Sequence, residues 1–127
     1  MKNQPKTKII YIDDEVEACK TIAEFFSLRG FDVHITFDGD SGYSMIKKEQ
    51  PHLVILDLKI AGTSGIDLLQ KLVDERVQVP VIVVTAYQEA MAEIRERGLM
   101  VNKYLTKPYN LTSLYDAVLE LTPRRGD

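Results

Sequence analysis

The chain has 127 residues, 45% of them apolar and 28% charged, which suits one domain, leaves too little length for a two-domain enzyme and is too hydrophobic for disorder. Its 16 Lys and Arg against 19 Asp and Glu leave a formal charge of −3, a poor match for a nucleic-acid surface, which needs a basic face to release phosphate counterions. The single cysteine excludes an intramolecular disulfide and a cysteine-rich zinc site, and no apolar run approaches the ~18 residues of a membrane span. This composition fits a cytoplasmic protein that binds neither membrane nor nucleic acid.

In chain order, Ile9-Ile10-Tyr11-Ile12 is a short continuous apolar run, as expected of a parallel strand buried on both faces. Val16, Cys19, Ile22, Ala23 and Phe26 then repeat at helical spacing, and Gly30 can end that helix. Residues 31–36 alternate as a second strand, and residues 41–49 form a short helix closed by Pro51. Leu53-Val54-Ile55-Leu56 is the third strand. A third helix striped by Ile66, Leu69, Leu72 and Val73 is entered through Ser64-Gly65. Val81-Ile82-Val83-Val84 is the fourth strand, residues 88–97 a polar fourth helix, and Tyr104-Leu105 a fifth strand. Leu111, Leu114, Val118 and Leu121 stripe a last helix that Asn110 can cap. Five successive β-α units predict a doubly wound α/β domain with helices on both faces of a parallel sheet. The core spans about residues 7–122, and residues 123–127 read as a tail or the start of a linker.

In such sheets ligands bind beyond the carboxyl ends of the strands. Those ends carry Asp13-Asp14, Asp57, Thr85 and Lys107-Pro108. Two like charges about 4 Å apart repel by about 4 kcal/mol at an effective dielectric of 20, so three carboxylates at one edge call for a cation. Hard oxygen ligands without His or Cys suit Mg²⁺. Lys107 adds a second, movable positive charge. A carboxylate beside both is set up to attack phosphorus and to carry an acyl phosphate.

The ordered set strongly resembles the receiver domains of two-component response regulators, including the chemotaxis regulators, over about residues 7–122. It consists of Asp13-Asp14, Asp57 in Leu56-Asp57-Leu58-Lys59, Thr85-Ala86, Tyr104 and Lys107-Pro108, with 43 residues from Asp14 to Asp57, 28 to Thr85 and 22 to Lys107. The resemblance implies a flavodoxin-like three-layer fold with strand order 2-1-3-4-5. It implies that Asp57 accepts a phosphoryl group from a histidine kinase, a phosphotransfer protein or a small acyl phosphate. Asp14 would hold Mg²⁺ directly and Asp13 largely through water, with Asp57 and the Lys59 carbonyl completing the site. Lys107 would pair with a phosphoryl oxygen, Thr85 would turn its hydroxyl onto the phosphoryl group, and Ala86 would leave its N–H within reach. Tyr104 would then rotate inward and alter the face of the fourth helix, fifth strand and fifth helix, through which a homodimer could form. The Lys107-Pro108 bond is expected to be cis.

Some positions depart from the family. Ala61 stands where a proline is usual, and Met100 where a small residue is common. Lys59 and Tyr87 hold the two positions that govern water access to the acyl phosphate, and their bulk implies slow self-hydrolysis. Two other classes fit less well. A haloacid-dehalogenase phosphatase expects a second aspartate where Lys59 stands, and a flavodoxin-like FMN carrier wants a Ser/Thr/Gly-rich loop where Asp13-Asp14-Glu15 would repel phosphate. Cys19 reads as a core side chain, and His34 and His52 have no ligand partners in sequence. A stand-alone receiver and a piece of a longer regulator both fit the chain's end.

Overall fold

The computed structural model describes residues 6–59 and 64–122. Strands and helices alternate as β1 (Lys8–Ile12), α1 (Val16–Ser27), β2 (Asp32–Thr36), α2 (Gly39–Glu49), β3 (Leu53–Asp57), α3 (Gly65–Asp74), β4 (Val81–Thr85), α4 (Glu89–Glu96), β5 (Lys103–Thr106) and α5 (Leu111–Leu121). All strand pairings are parallel, in the order β2-β1-β3-β4-β5. This is the doubly wound flavodoxin-like arrangement that the sequence predicts.

Successive strand residues point to opposite faces, so β1 divides its side chains between two cores. Ile9 and Tyr11 pack with Ile22 and Phe26 of α1 and Leu114 and Val118 of α5. Ile10 and Ile12 pack with Ile46 of α2, Leu68 and Leu69 of α3 and Ile94 of α4. β3 and β4 are covered on both faces and buried throughout, which is why they appear in the sequence as unbroken apolar runs. Each buried Ile or Leu contributes about 1.5–3 kcal/mol.

Local chemistry sets the helix ends. At the end of α1, Gly30 takes φ 89°, and the Phe31 N–H donates to the Phe26 carbonyl. The two rings meet edge-on at 5.5 Å, completing a Schellman motif with its apolar contact. Ser64 caps α3 by accepting the Asp67 N–H, and Asn110 caps α5 by accepting the Ser113 N–H. Such caps are worth about 1 kcal/mol each. Two boundaries differ from expectation. α2 starts at Gly39, two residues early, because the Asp38 carboxylate accepts the Ser41 N–H and outweighs the poor helix propensity of glycine. α4 is one residue shorter at each end than the polar pattern suggests.

The chain reverses its winding at β1, which pairs with β2 on one side and β3 on the other. Ile12 is in register with Leu56, so the next residues, Asp13 just past β1 and Asp57 at the end of β3, lie side by side. The expected tail at residues 123–127 and the departure at Ala61 lie outside the described residues.

Candidate functional site at the carboxyl edge of the sheet

Asp13, Asp57 and Thr85 are among the few buried polar side chains of the described residues. Each is fixed by a strand end. Asp57 closes β3 with its side chain 8% exposed. One of its carboxylate oxygens accepts the Lys59 N–H at 3.0 Å, and the other accepts a hydrogen bond from Lys107 Nζ at 2.7 Å. The Lys107 main-chain N–H donates to the Thr85 carbonyl at 2.8 Å, and the bond to Pro108 is cis, as expected.

Asp13 accepts the Tyr11 hydroxyl on Oδ2 at 2.9 Å and the Glu15 N–H on Oδ1 at 3.0 Å. Asp14 is exposed beside it. Thr85 Oγ1 accepts the Tyr87 N–H at 3.0 Å, and among the described residues its own proton goes to no partner. Asp13, Asp14, Glu15, Asp57, Lys59, Ala86, Tyr87 and Lys107 line an open depression of about 440 Å³. Seven positions singled out in the sequence therefore meet here: Asp13, Asp14, Asp57, Lys59, Ala86, Tyr87 and Lys107. Thr85, the residue before Ala86, is buried and does not line the depression. Tyr104 stands apart, half-buried against the core on the α4 side, in register with Val83. A larger apolar groove of about 570 Å³, between α3 and the segment entering β5, lies at the opposite edge and has only Arg76 as a charged residue.

Burial raises the Asp57 carboxyl above the ordinary carboxylate range. The charge of Asp13 adds to the rise, and the hydrogen bonds from Lys107 and Lys59 only partly offset it. Lys107 is also raised: burial opposes its charge, but the hydrogen bond and charge of Asp57 prevail. Cys19 is buried, and its thiol is pushed up to about 11 by desolvation and then by Asp13, Asp14 and Glu15. It is an inert core thiol rather than a nucleophile.

The donor set at the site is all hard oxygen. Among the described residues no three His, Cys, Asp or Glu side chains gather closely enough to cage a metal ion by themselves. The charge of Asp13 does bear on Asp57. A pair of carboxylates fits an ion that keeps much of its water, as Mg²⁺ does, and does not fit a zinc-like closed site.

Two residues of this neighbourhood carry no functional signal in the apolar pattern. Tyr11 reads as one more residue of a buried strand, and Tyr109 as the start of a connection. The available clue is that Tyr11 is the only side chain with a hydroxyl in its run and lies two residues before Asp13, on the same face by strand alternation.

The chain matches the response regulator receiver domain family over residues 9–119. It is 32% identical over 124 residues to sporulation initiation phosphotransferase F of Bacillus subtilis, covering 94% of this chain and 97% of that one. It is 34% identical over 122 residues to the probable transcriptional regulator ycf27 of Porphyridium aerugineum, covering 96% of this chain but only 50% of the relative. Among solved structures, the receiver domain of the Francisella response regulator 1452 superposes with a TM-score of 0.84 at 26% identity, over 91% of this chain and 96% of that one. The beryllofluoride-activated N-terminal receiver domain of Klebsiella pneumoniae RstA gives 0.80 at 25% identity, over 92% and 99%. With this match and the arrangement of Asp57, Lys107 and Asp13, the chain belongs to the receiver domain family of two-component response regulators.

Proposed function

We propose that the chain accepts a phosphoryl group on Asp57 from the phosphohistidine of a histidine kinase or phosphotransfer protein, or from a small acyl phosphate. One observation carries the reading: a buried aspartate at a strand end, 2.7 Å from a lysine ammonium and beside a second buried carboxylate. A structural ion pair alone does not need Asp13 in a position that opposes the charge of Asp57.

In this reading a carboxylate oxygen of Asp57 attacks phosphorus as the bond from phosphorus to the donor's imidazole nitrogen breaks. The imidazole leaves with the bonding pair, and Asp57 becomes a mixed anhydride. Lys107 passes from the carboxylate to a phosphoryl oxygen and neutralises part of its charge. Thr85, whose hydroxyl proton goes to no partner among the described residues, can give it to another phosphoryl oxygen, and the small Ala86 leaves its main-chain N–H approachable. Asp14 and Asp13, with Asp57 and the Lys59 carbonyl, would hold Mg²⁺, which when bound offsets the carboxylate and phosphoryl charges. The open depression admits a bulky donor ring, and Lys59 and Tyr87 flank the path of water.

The added charge of about −1 draws Thr85 toward the phosphoryl group and makes room for Tyr104 to move inward, which changes the face of α4, β5 and α5. A homodimer through that face, in the cytoplasm, is the simplest output. The domain is a signalling switch that catalyses its own phosphorylation and dephosphorylation rather than turning over a separate substrate. The similarity to a phosphotransferase over nearly its full length supports a part in phosphoryl transfer. Incubation with acetyl phosphate and Mg²⁺, followed by intact mass, tests the reading. A single phosphoryl gain lost in Asp57→Asn is expected, and no gain in the wild type refutes it. Light scattering with and without beryllofluoride tests the dimer.

A further inference from the structure

Tyr11 is the sole aromatic side chain of β1, and its ring is 1% exposed. Its hydroxyl donates to Asp13 Oδ2, while the Glu15 N–H holds Oδ1, so both oxygens of Asp13 are tied from the protein side. A phenol has one proton to give, and that of Tyr11 goes to Asp13. The Tyr109 hydroxyl lies near that of Tyr11 and interacts with it electrostatically. Tyr109, Tyr11 and Asp13 thus form a line of polar groups. It starts two residues after Lys107 and ends at Asp13 on the lining of the depression.

Packing alone does not account for it. Phenylalanine would fill the same buried space with no polar atom to satisfy, whereas a buried hydroxyl is costly unless paired. The pairing it finds is the carboxylate that faces Asp57.

We propose that Tyr11, with Tyr109 beside it, is a positioning residue for Asp13, fixing the plane of that carboxylate so that its remaining lone pairs face a divalent cation in the depression. The inference rests on the reading of this edge as a Mg²⁺ site. Partners that orient metal-binding carboxylates typically change affinity by about 10–100-fold when removed, and a neutral phenol belongs at the lower end.

The test titrates the protein with Mn²⁺ and follows the electron paramagnetic resonance signal of the free ion for the wild type, Tyr11→Phe, Tyr109→Phe and the double variant. Folding is checked by far-ultraviolet circular dichroism. Tyr11→Phe is expected to weaken Mn²⁺ binding about tenfold. Tyr109→Phe should weaken it less, and the double variant no more than Tyr11→Phe alone, because the second hydroxyl acts only through the first. A purely structural hydroxyl would lower the melting temperature and leave the affinity unchanged, and that result overturns the proposal while the metal site stands. A wild type that binds no Mn²⁺ overturns both. If Tyr11→Phe does not fold, an unchanged affinity in Tyr109→Phe is the overturning result.

Discussion

Lys107 Nζ donates to Asp57 Oδ2 at 2.7 Å across 50 residues of sequence, yet the carboxyl of Asp57 is raised rather than lowered. Burial and the neighbouring Asp13 outweigh the ammonium, so the site is an electrostatic liability that the fold tolerates. A group with a raised folded-state pKa contributes stability that is present below its unfolded value of about 3.9 and lost as pH rises through the folded value. At neutral pH the ionised Asp57 therefore destabilises the fold. Asp57→Asn should be more stable than the wild type, with a higher Tm. That difference should shrink as pH is lowered past the titration of Asp57. Thermal melts in EDTA across pH check it, and a less stable Asp57→Asn at neutral pH would contradict it.

Lys59 Nζ lies 5.7 Å from the ring centroid of Tyr87, and both side chains are exposed at the lip of the depression. A cation–π contact at an exposed site is worth about 0.5–1 kcal/mol, enough to bias the pair toward lying across the entrance. Lys59→Ala and Tyr87→Ala should each shorten the lifetime of the phosphorylated protein several-fold. The double variant should do little more than either alone. Loss of the phosphoryl group over time, followed by intact mass, gives the rates. Unaltered rates would show that the pair does not govern water access.

Gly65 sits where an added Cβ would come within 2.6 Å of the Leu58 Cα, and its N–H donates to the Leu58 carbonyl at 3.1 Å. The obstacle is backbone, so it cannot swing aside, and Leu58 follows Asp57 directly. Gly65→Ala should cost about 1–3 kcal/mol in urea unfolding and slow phosphorylation by acetyl phosphate as the segment after Asp57 shifts.

Arg76 ends α3 at φ 58°, with the Val77 N–H donating to the Leu72 carbonyl, the position that glycine fills after α1 and α4. A non-glycine residue there costs about 1–2 kcal/mol, partly offset by the greater unfolded-state freedom of glycine. Arg76→Gly should stabilise the fold by about 0.5–1 kcal/mol, read from the urea midpoint, with phosphorylation unchanged because the residue lies at the opposite edge of the sheet.

The fold was legible wherever burial is two-sided. β1, β3 and β4 lie between two helical layers, so their side chains are apolar without interruption, and the polar residue ending each run marks the edge where the site forms. β2 and β5, at the sheet margins, are mostly of intermediate exposure, and their sequences carry a correspondingly weaker pattern. The start of α2 was not legible, because Gly39 and Asp40 look like loop residues until the Asp38 cap is counted. Convergence of Asp13, Asp57 and Lys107 followed from topology alone. The tie between Tyr11 and Tyr109 did not, because periodicity reports which face a side chain takes and not which hydroxyl it meets across the core.

The most direct test of the central claim is to locate the phosphoryl group chemically. The protein is treated with acetyl phosphate and Mg²⁺, the acyl phosphate is reduced with borohydride, and the resulting homoserine is placed by peptide mass spectrometry. Homoserine at position 57, absent when phosphorylation is omitted, is the predicted result. Homoserine at Asp13 or Asp14, or at no aspartate, would contradict the account.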